Sequence, residues 1–541
     1  MKGSTDSFLN WKSLVRLYRT FFYMKPKQIF YRFYYPLKKH FFKSAIIKEY
    51  HIQSSNLHPE ILFPHYSIDD KLVEESTQTF NFLNRAYTFN DRIEWTFNEY
   101  GTLWSFNLHY YSWLSDDKIS VEFRLDTINQ VIDNQNKNEI FANSYTASLR
   151  IVNWIKFLLQ YHIKDNKIKA NLYQQSHRLN EFPEYHIMGN YLLENGIALV
   201  WAGVYFNDAS FRQLGEQIVT KELDEQILND GSHFEKSVSY HSNILRRLLD
   251  LTLFYDTIIG DDTLYNYLII KSSQMLSHLF VLNSSNYFPP HFGDSNERLL
   301  VNFCELQNVA QNLRLDTNDC ALNECGIRKL QRDQVVVFFN MGNVPAAYQP
   351  GHSHADALSF TLNIDNLPII VDRGTSIYEQ SEQRLMERST SAHNTISVNG
   401  ENSSDVWAAF RMGKRPSIIV HKDDEAVIDC SHNGFEKLNI THRRKINILN
   451  KEIVISDLLE GWSGQQAFSY LHFYPETIIE ISDYKEFVTI NRSLCLNVEG
   501  ADFYLEEYEY CEGFNQTKVA MRLVFKIKNR NISIKIKVLD G

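Results

Sequence analysis

Paired cysteines are missing from this chain. Its six cysteines, Cys304, Cys320, Cys325, Cys430, Cys495 and Cys511, include no Cys-x-x-Cys spacing. That excludes a four-thiolate zinc site and a dithiol redox motif, leaving buried free thiols as the plain reading. Also missing is any apolar run of the length a membrane helix needs. A surplus of positive charge is absent as well: the net charge is −10, which argues against nucleic acid as a partner and requires any anionic ligand to be held locally. The start, Met1-Lys2-Gly3-Ser4-Thr5-Asp6, has neither the apolar stretch nor the small-residue cleavage pattern of a secretion signal. From this start a cytoplasmic or membrane-associated protein is expected, and a periplasmic one where a signal has been trimmed.

One local absence is more specific. From Ser7 to Lys48 there is no Asp or Glu, while Lys12, Arg16, Arg19, Lys25, Lys27, Arg32, Lys38, Lys39 and Lys43 interleave with Trp11, Tyr18, Phe21, Phe22, Phe30, Tyr31, Phe33, Tyr34, Phe41 and Phe42. Basic helices with an aromatic face lie on anionic membranes. The competing reading is an amphipathic arm packed on the main body with its cations solvated.

With 541 residues, 44% hydrophobic and 14% aromatic, the chain exceeds what a single core usually serves, so two large domains are expected. From about Val73 to Asn312 the pattern is helical; Ile244, Leu245, Leu248, Leu249 and Leu251 form one apolar stripe. Periodicity alone leaves a toroid of paired helices and an open solenoid equally open. After Asn323 short β runs take over: Val335–Phe339, Leu358–Leu362, Ile369–Val371, Thr395–Val398, Ile418–Val420 and Ile453–Ile455, with turn signals such as Asn399-Gly400. The expectation is an α+β chain: an arm over 1–72, an array of paired helices over 73–320 and an antiparallel β-sandwich over 321–541.

Four constellations carry chemistry. His186-Ile187-Met188-Gly189-Asn190-Tyr191 places an amide in an apolar segment, where a buried Asn needs partners. Asp230-Gly231-Ser232-His233-Phe234-Glu235 runs through Tyr240 and His241 into a helix carrying Arg246 and Arg247; phenol and imidazole at a helix start can meet an anion, and a loop with a capping serine explains the pattern equally well. In Pro289-Pro290-His291-Phe292-Gly293-Asp294, Asp294 either orients a histidine or, the favoured reading, caps the next helix. Finally, His352-Ser353-His354-Ala355-Asp356, Asp372 and His393, with Arg384, Arg388, Arg411, Lys414 and Arg415, concentrate imidazole, carboxylate and guanidinium. Histidines two apart on extended backbone face the same way. His354, Asp372 and His393 read either as a three-ligand metal site or as a network supporting His352.

These blocks, in this order, resemble the heparinase II/III family of polysaccharide lyases. The likeness is densest in Gly351-His352-Ser353-His354-Ala355-Asp356-Ala357-Leu358-Ser359-Phe360 and Arg388-Ser389-Thr390-Ser391-Ala392-His393-Asn394-Thr395. The basic arm and Leu103-Trp104-Ser105-Phe106-Asn107-Leu108-His109-Tyr110 are similar to members associated with bacterial surface-polysaccharide clusters. The resemblance implies an incomplete α/α toroid followed by an antiparallel β-sandwich, and cleavage of acidic, uronic-acid-containing glycans by β-elimination. That reaction must neutralise the uronate carboxylate, remove the proton at C5 and protonate the departing O4. By resemblance Asn190 meets the carboxylate, and Tyr240 and His352 transfer protons, the phenol helped by a positive environment that lowers its pKa. His186, Tyr191, Glu235, His241 and Arg388 are implied to contact substrate. His354, Asp372 and His393 match positions where some relatives hold one structural zinc ion. Two departures stand out: relatives have Asn-His at Asn190-Tyr191 and Asp-Pro-Gly-Thr at Asp372-Arg373-Gly374-Thr375, so an imidazole is lost and a cation sits beside an expected ligand.

Two other classes compete. A glycan hydrolase or modifying enzyme on the same shell would need two carboxyl groups flanking the bond, and Glu194, Glu235 and Asp294 are the candidates. A non-catalytic glycan-binding protein of surface-polysaccharide assembly would fit the arm.

Overall fold

The structure is a computed structural model that describes residues 11–42, 62–69, 72–135, 139–283, 288–318, 320, 322, 324–344, 346–483 and 487–539. Lys43 and the start of the chain, part of the expected arm, lie outside the described residues.

The helical half runs from Thr102–Tyr110 to Phe303–Asn312 and includes the long helices Ser144–Gln160, Asn190–Phe206, Ala209–Gln226, Val238–Ile258 and Thr263–Asn283. Asn190–Phe206 is apolar on all sides because it lies inside: all its residues but Tyr191 are buried. Its neighbour Ala209–Gln226 approaches so closely that a Cβ on Gly215 would stand 2.6 Å from the backbone nitrogen of Val200. The stripe of Ile244, Leu245, Leu248, Leu249 and Leu251 is buried in the same core, as its spacing requires.

The expected helical start at Val73 is corrected by a small antiparallel sheet of Val73–Glu74, Thr79–Phe82 and Arg85–Thr88. Phe80 and Phe82 alternate inward, and Leu83 and Asn84, both at positive φ (55° and 57°), close the hairpin.

After Asn312 the chain becomes antiparallel β. The largest sheet has eight strands and is centred on Thr441–Leu449, Glu452–Glu460 and Asn531–Val538. Among the described residues two four-stranded sheets and a two-stranded one, Val406–Trp407 with Arg411–Met412, accompany it, and inward residues such as Ile446, Ile448, Ile453, Ile455, Ile534 and Ile536 fill the core. Every residue of Val335–Asn340 is buried, yet its two faces serve different cores. Val335, Val337 and Phe339 belong to the sandwich, while Val336 and Phe338 pack with the helices. A strand's two-residue period thus joins the halves.

Candidate active site

Asn190 opens the helix Asn190–Phe206, preceded by Gly189 at φ +61°. Tyr240 lies in the first turn of Val238–Ile258, whose N-cap Ser237 accepts a hydrogen bond from the Tyr240 amide. The Ser237 hydroxyl also donates to the Asp294 carbonyl at 2.8 Å, which ties this helix start to the Pro289–Ser295 segment. Asn190 and Tyr240 line one cavity of about 680 Å³, together with Arg246, Arg247, Arg298 and Tyr378. The Asn190 side-chain oxygen is buried and has no hydrogen-bond partner among the described residues.

His352 comes from the β half and stacks on Tyr240, with ring centroids 3.9 Å apart. It is buried at the edge of the site and is not among the residues lining the large cavity. Its Nδ1 is held by Asp294 Oδ2 at 2.8 Å, and His354 Nε2 is held by Asp294 Oδ1 at the same distance. Arg384 grips both oxygens, at 2.5 and 2.7 Å. Asp294 therefore orients two histidines; the cap of the following turn is Asn296, which corrects the favoured sequence reading. Burial would raise the Asp294 pKa, but Arg384 and the hydrogen bonds from His352, His354 and Arg384 hold it well below the usual carboxylate range. Gly293, at φ +63°, is required here: a Cβ would stand 2.6 Å from the His352 carbonyl oxygen. Residues 351–357 form turns rather than the extended backbone expected, and the strand begins at Phe360, so one shared carboxylate aligns the two imidazoles.

The phenol's environment differs from the expectation. Burial, then Tyr378 and Asp294, push the Tyr240 pKa well above 10, so the side chain rests as a neutral phenol. The Tyr378 hydroxyl is 3.0 Å from that of Tyr240. Tyr378 packs against Phe410 and Phe514, and Arg384 lies over its ring. Sequence reasoning missed it because a single tyrosine six residues after Asp372 has no pattern around it.

Other expected contact residues lie elsewhere. Tyr191 stacks on Tyr145, itself a cavity residue, at 4.3 Å. His186 packs against Tyr35 of the arm, and burial, helped by Arg32 and Lys39, lowers its pKa to about 4. His241 has both nitrogens engaged, with the Met275 carbonyl at 2.9 Å and the His233 amide at 3.1 Å. Arg388 is buried and donates to the carbonyls of Ser353, Ala408, Ala409 and Arg411, fixing the histidine loop from behind. Glu235 lines a separate small chamber with His352 and His354; neither carboxyl oxygen has a partner among the described residues, and burial raises its pKa to about 6. Of the three hydrolase candidates only Glu194 lines the large cavity, where Arg247 sits 3.3 Å from its carboxylate.

For the expected metal ligands, His393 Nδ1 meets Asp372 Oδ2 at 2.8 Å, and the His354 and His393 rings are 5.2 Å apart. His354 Nδ1 and His393 Nε2 are buried and unpartnered among the described residues. Among the described residues the ligand atoms that do lie within 4.8 Å of one another are those of Asp230, His278 and Cys325, a different group. There the Asp230 carboxylate already accepts four hydrogen bonds, from the amides of Ser232, Glu324 and Cys325 and the Ser232 hydroxyl.

With this geometry in view, comparisons with known proteins are specific. Residues 133–314 match the heparinase II/III N-terminus and residues 315–538 the heparinase II/III-like C-terminal domain. A heparin-sulfate lyase of Bacteroides stercoris is 23% identical over 379 residues, covering 64% of this chain and 53% of the relative. One from Bacteroides thetaiotaomicron is 24% identical, covering 52% and 45%. The chain thus spans about half the length of the curated relatives it matches. Among solved structures, heparinase III superposes with a TM-score of 0.71 at 15% identity, covering 97% of this chain and 94% of the other. Heparan sulfate lyase HepC of Pedobacter heparinus, as a mutant, gives 0.59 at 16%, covering 89% and 86%. These likenesses support the toroid-plus-sandwich architecture, and the two domain matches show that the chain belongs to the heparinase II/III family.

Proposed function

We propose that the protein is a polysaccharide lyase that cleaves a uronic-acid-containing glycan by β-elimination. The carrying observation is the pairing of Asn190 and Tyr240 in one cavity with His352 stacked on Tyr240. The names of the heparin-sulfate lyase relatives support the same substrate class. In this reading the Asn190 amide hydrogen-bonds the uronate carboxylate, and Arg246 and Arg247 supply the nearby positive charge. His352, whose Nδ1 is fixed by Asp294, offers Nε2 to the C5 proton. The neutral phenol of Tyr240 donates to the departing O4, and Tyr378, one hydrogen bond away, replenishes or steadies that proton. The C5–H and C4–O bonds break and a C4–C5 double bond forms, so no water is consumed.

The test is to incubate the protein with heparin, heparan sulfate and other uronate polymers and follow ultraviolet absorbance. An unsaturated uronate is expected; chain shortening without that chromophore would overturn elimination in favour of hydrolysis.

A structural zinc ion at His354, Asp372 and His393 belongs to the proposal as a support of the histidine loop, with no part in proton transfer. Its support is the pair of orphaned buried nitrogens. Metal analysis should find one zinc per chain, lost in His393→Ala; protein that is fully active and zinc-free would remove it.

A further inference from the structure

The basic arm holds to the body by charge as well as by apolar packing. A helix packed on a globular body normally turns its apolar face inward and leaves its charges in water. Here the helices Trp11–Phe22 and Pro26–Phe42 place Tyr31 and Tyr35 against Tyr185 and Phe182, and add polar ties beside them. Arg16 pairs with Asp405 of the β half, and Lys25 and Lys38 pair with Glu225 and Glu181 of the helical half. Gln28 donates to the Ile187 carbonyl at 2.8 Å and Lys27 lies over the Tyr185 ring. The arm is thus pinned to both halves.

What faces outward is aromatic and aliphatic. Tyr18 and Phe22, four residues apart, are 72% and 75% exposed; Phe30, Phe33 and Leu37, at helical spacing, are 59%, 72% and 63% exposed. Arg19 lies beside this stripe without an ion-pair partner among the described residues, and Arg32 and Lys39 sit exposed on the flank nearer the body, within reach of His186. An exposed apolar ridge of this extent marks an interaction surface. Its charge selects the partner: the acid-free stretch from Ser7 to Lys48 sits in a chain of net charge −10, so the arm is matched to a negative surface. No helix among the described residues is long and apolar enough to cross a membrane.

We infer that the outward face of the arm lies on an anionic lipid surface, the aromatic ridge entering the headgroup boundary and the arginines and lysine resting on lipid phosphates. The helices lie flat, and the body stays anchored through the ion pairs at their backs.

The experiment is flotation of the full chain with vesicles of phosphatidylglycerol mixed with phosphatidylcholine, and with phosphatidylcholine alone. The protein should float with the anionic vesicles, and raised salt should release it. The variant Phe22→Ser/Phe33→Ser/Leu37→Ser should lose binding at least tenfold at an unchanged thermal midpoint. Arg19→Gln/Arg32→Gln/Lys39→Gln should erase the preference for anionic vesicles. Wild-type protein that does not float, or a serine variant that floats equally well, would overturn the inference. So would a dimer in solution that the serine variant dissociates, since a second copy would then cover the ridge.

Discussion

The wall of the cavity and the cluster behind it follow opposite rules. On the wall, Asn190 keeps an orphaned oxygen and Tyr240 shares one hydrogen bond with Tyr378. Behind it, the Asp294 carboxylate is saturated by His352, His354 and a two-pronged Arg384, all buried. Groups left unsatisfied in a roomy cavity await a ligand, whereas satisfied groups in a closed one hold their neighbours still. The family chemistry needs both, because a proton is moved well only by an imidazole that does not wander.

The sharpest way to break this contrast is at Asp294. Asp294→Ala leaves Arg384 buried and unpaired, and stability should fall by roughly 3–5 kcal/mol in denaturant titration. Next comes the wall: Tyr240→Phe removes one hydroxyl and should lower turnover about 10²- to 10⁴-fold while the melting temperature holds. Loss of stability instead would move Tyr240 into the structural class. The smallest effect concerns Glu235, whose pKa burial raises to about 6 from an ordinary 4.5. The unfolded chain gives up this proton at lower pH than the folded one, so Glu235 costs stability increasingly from about pH 4.5 to 6 and fully above. Glu235→Gln should therefore stabilise the protein by about 2 kcal/mol above pH 6 and little below pH 4.5. Equal gains at both ends would rule out a buried carboxylate as the cause.

Much of this was legible from patterns. The apolar stripe of Val238–Ile258 and the alternation in Glu452–Glu460 are signals that burial must obey. The His352–Asp356 and Arg388–Thr395 blocks carried the family. Two kinds of feature were not legible. The partner of a side chain is set by tertiary packing, so Asp294 as the shared acceptor of His352, His354 and Arg384, and Tyr378 beside Tyr240, appear only when remote segments meet. The arm shows the other limit: composition announced an amphipathic helix, but not which face the body would take.

The seam strand Val335–Asn340 has a consequence of its own. Its odd residues are lodged in one core and its even residues in the other, so neither half can melt without stripping apolar surface from its neighbour. Heat should find a single transition rather than two, and a protease nick near the junction should release no stable fragment. The groups that meet at the proposed cleft then remain in register until the whole molecule gives way.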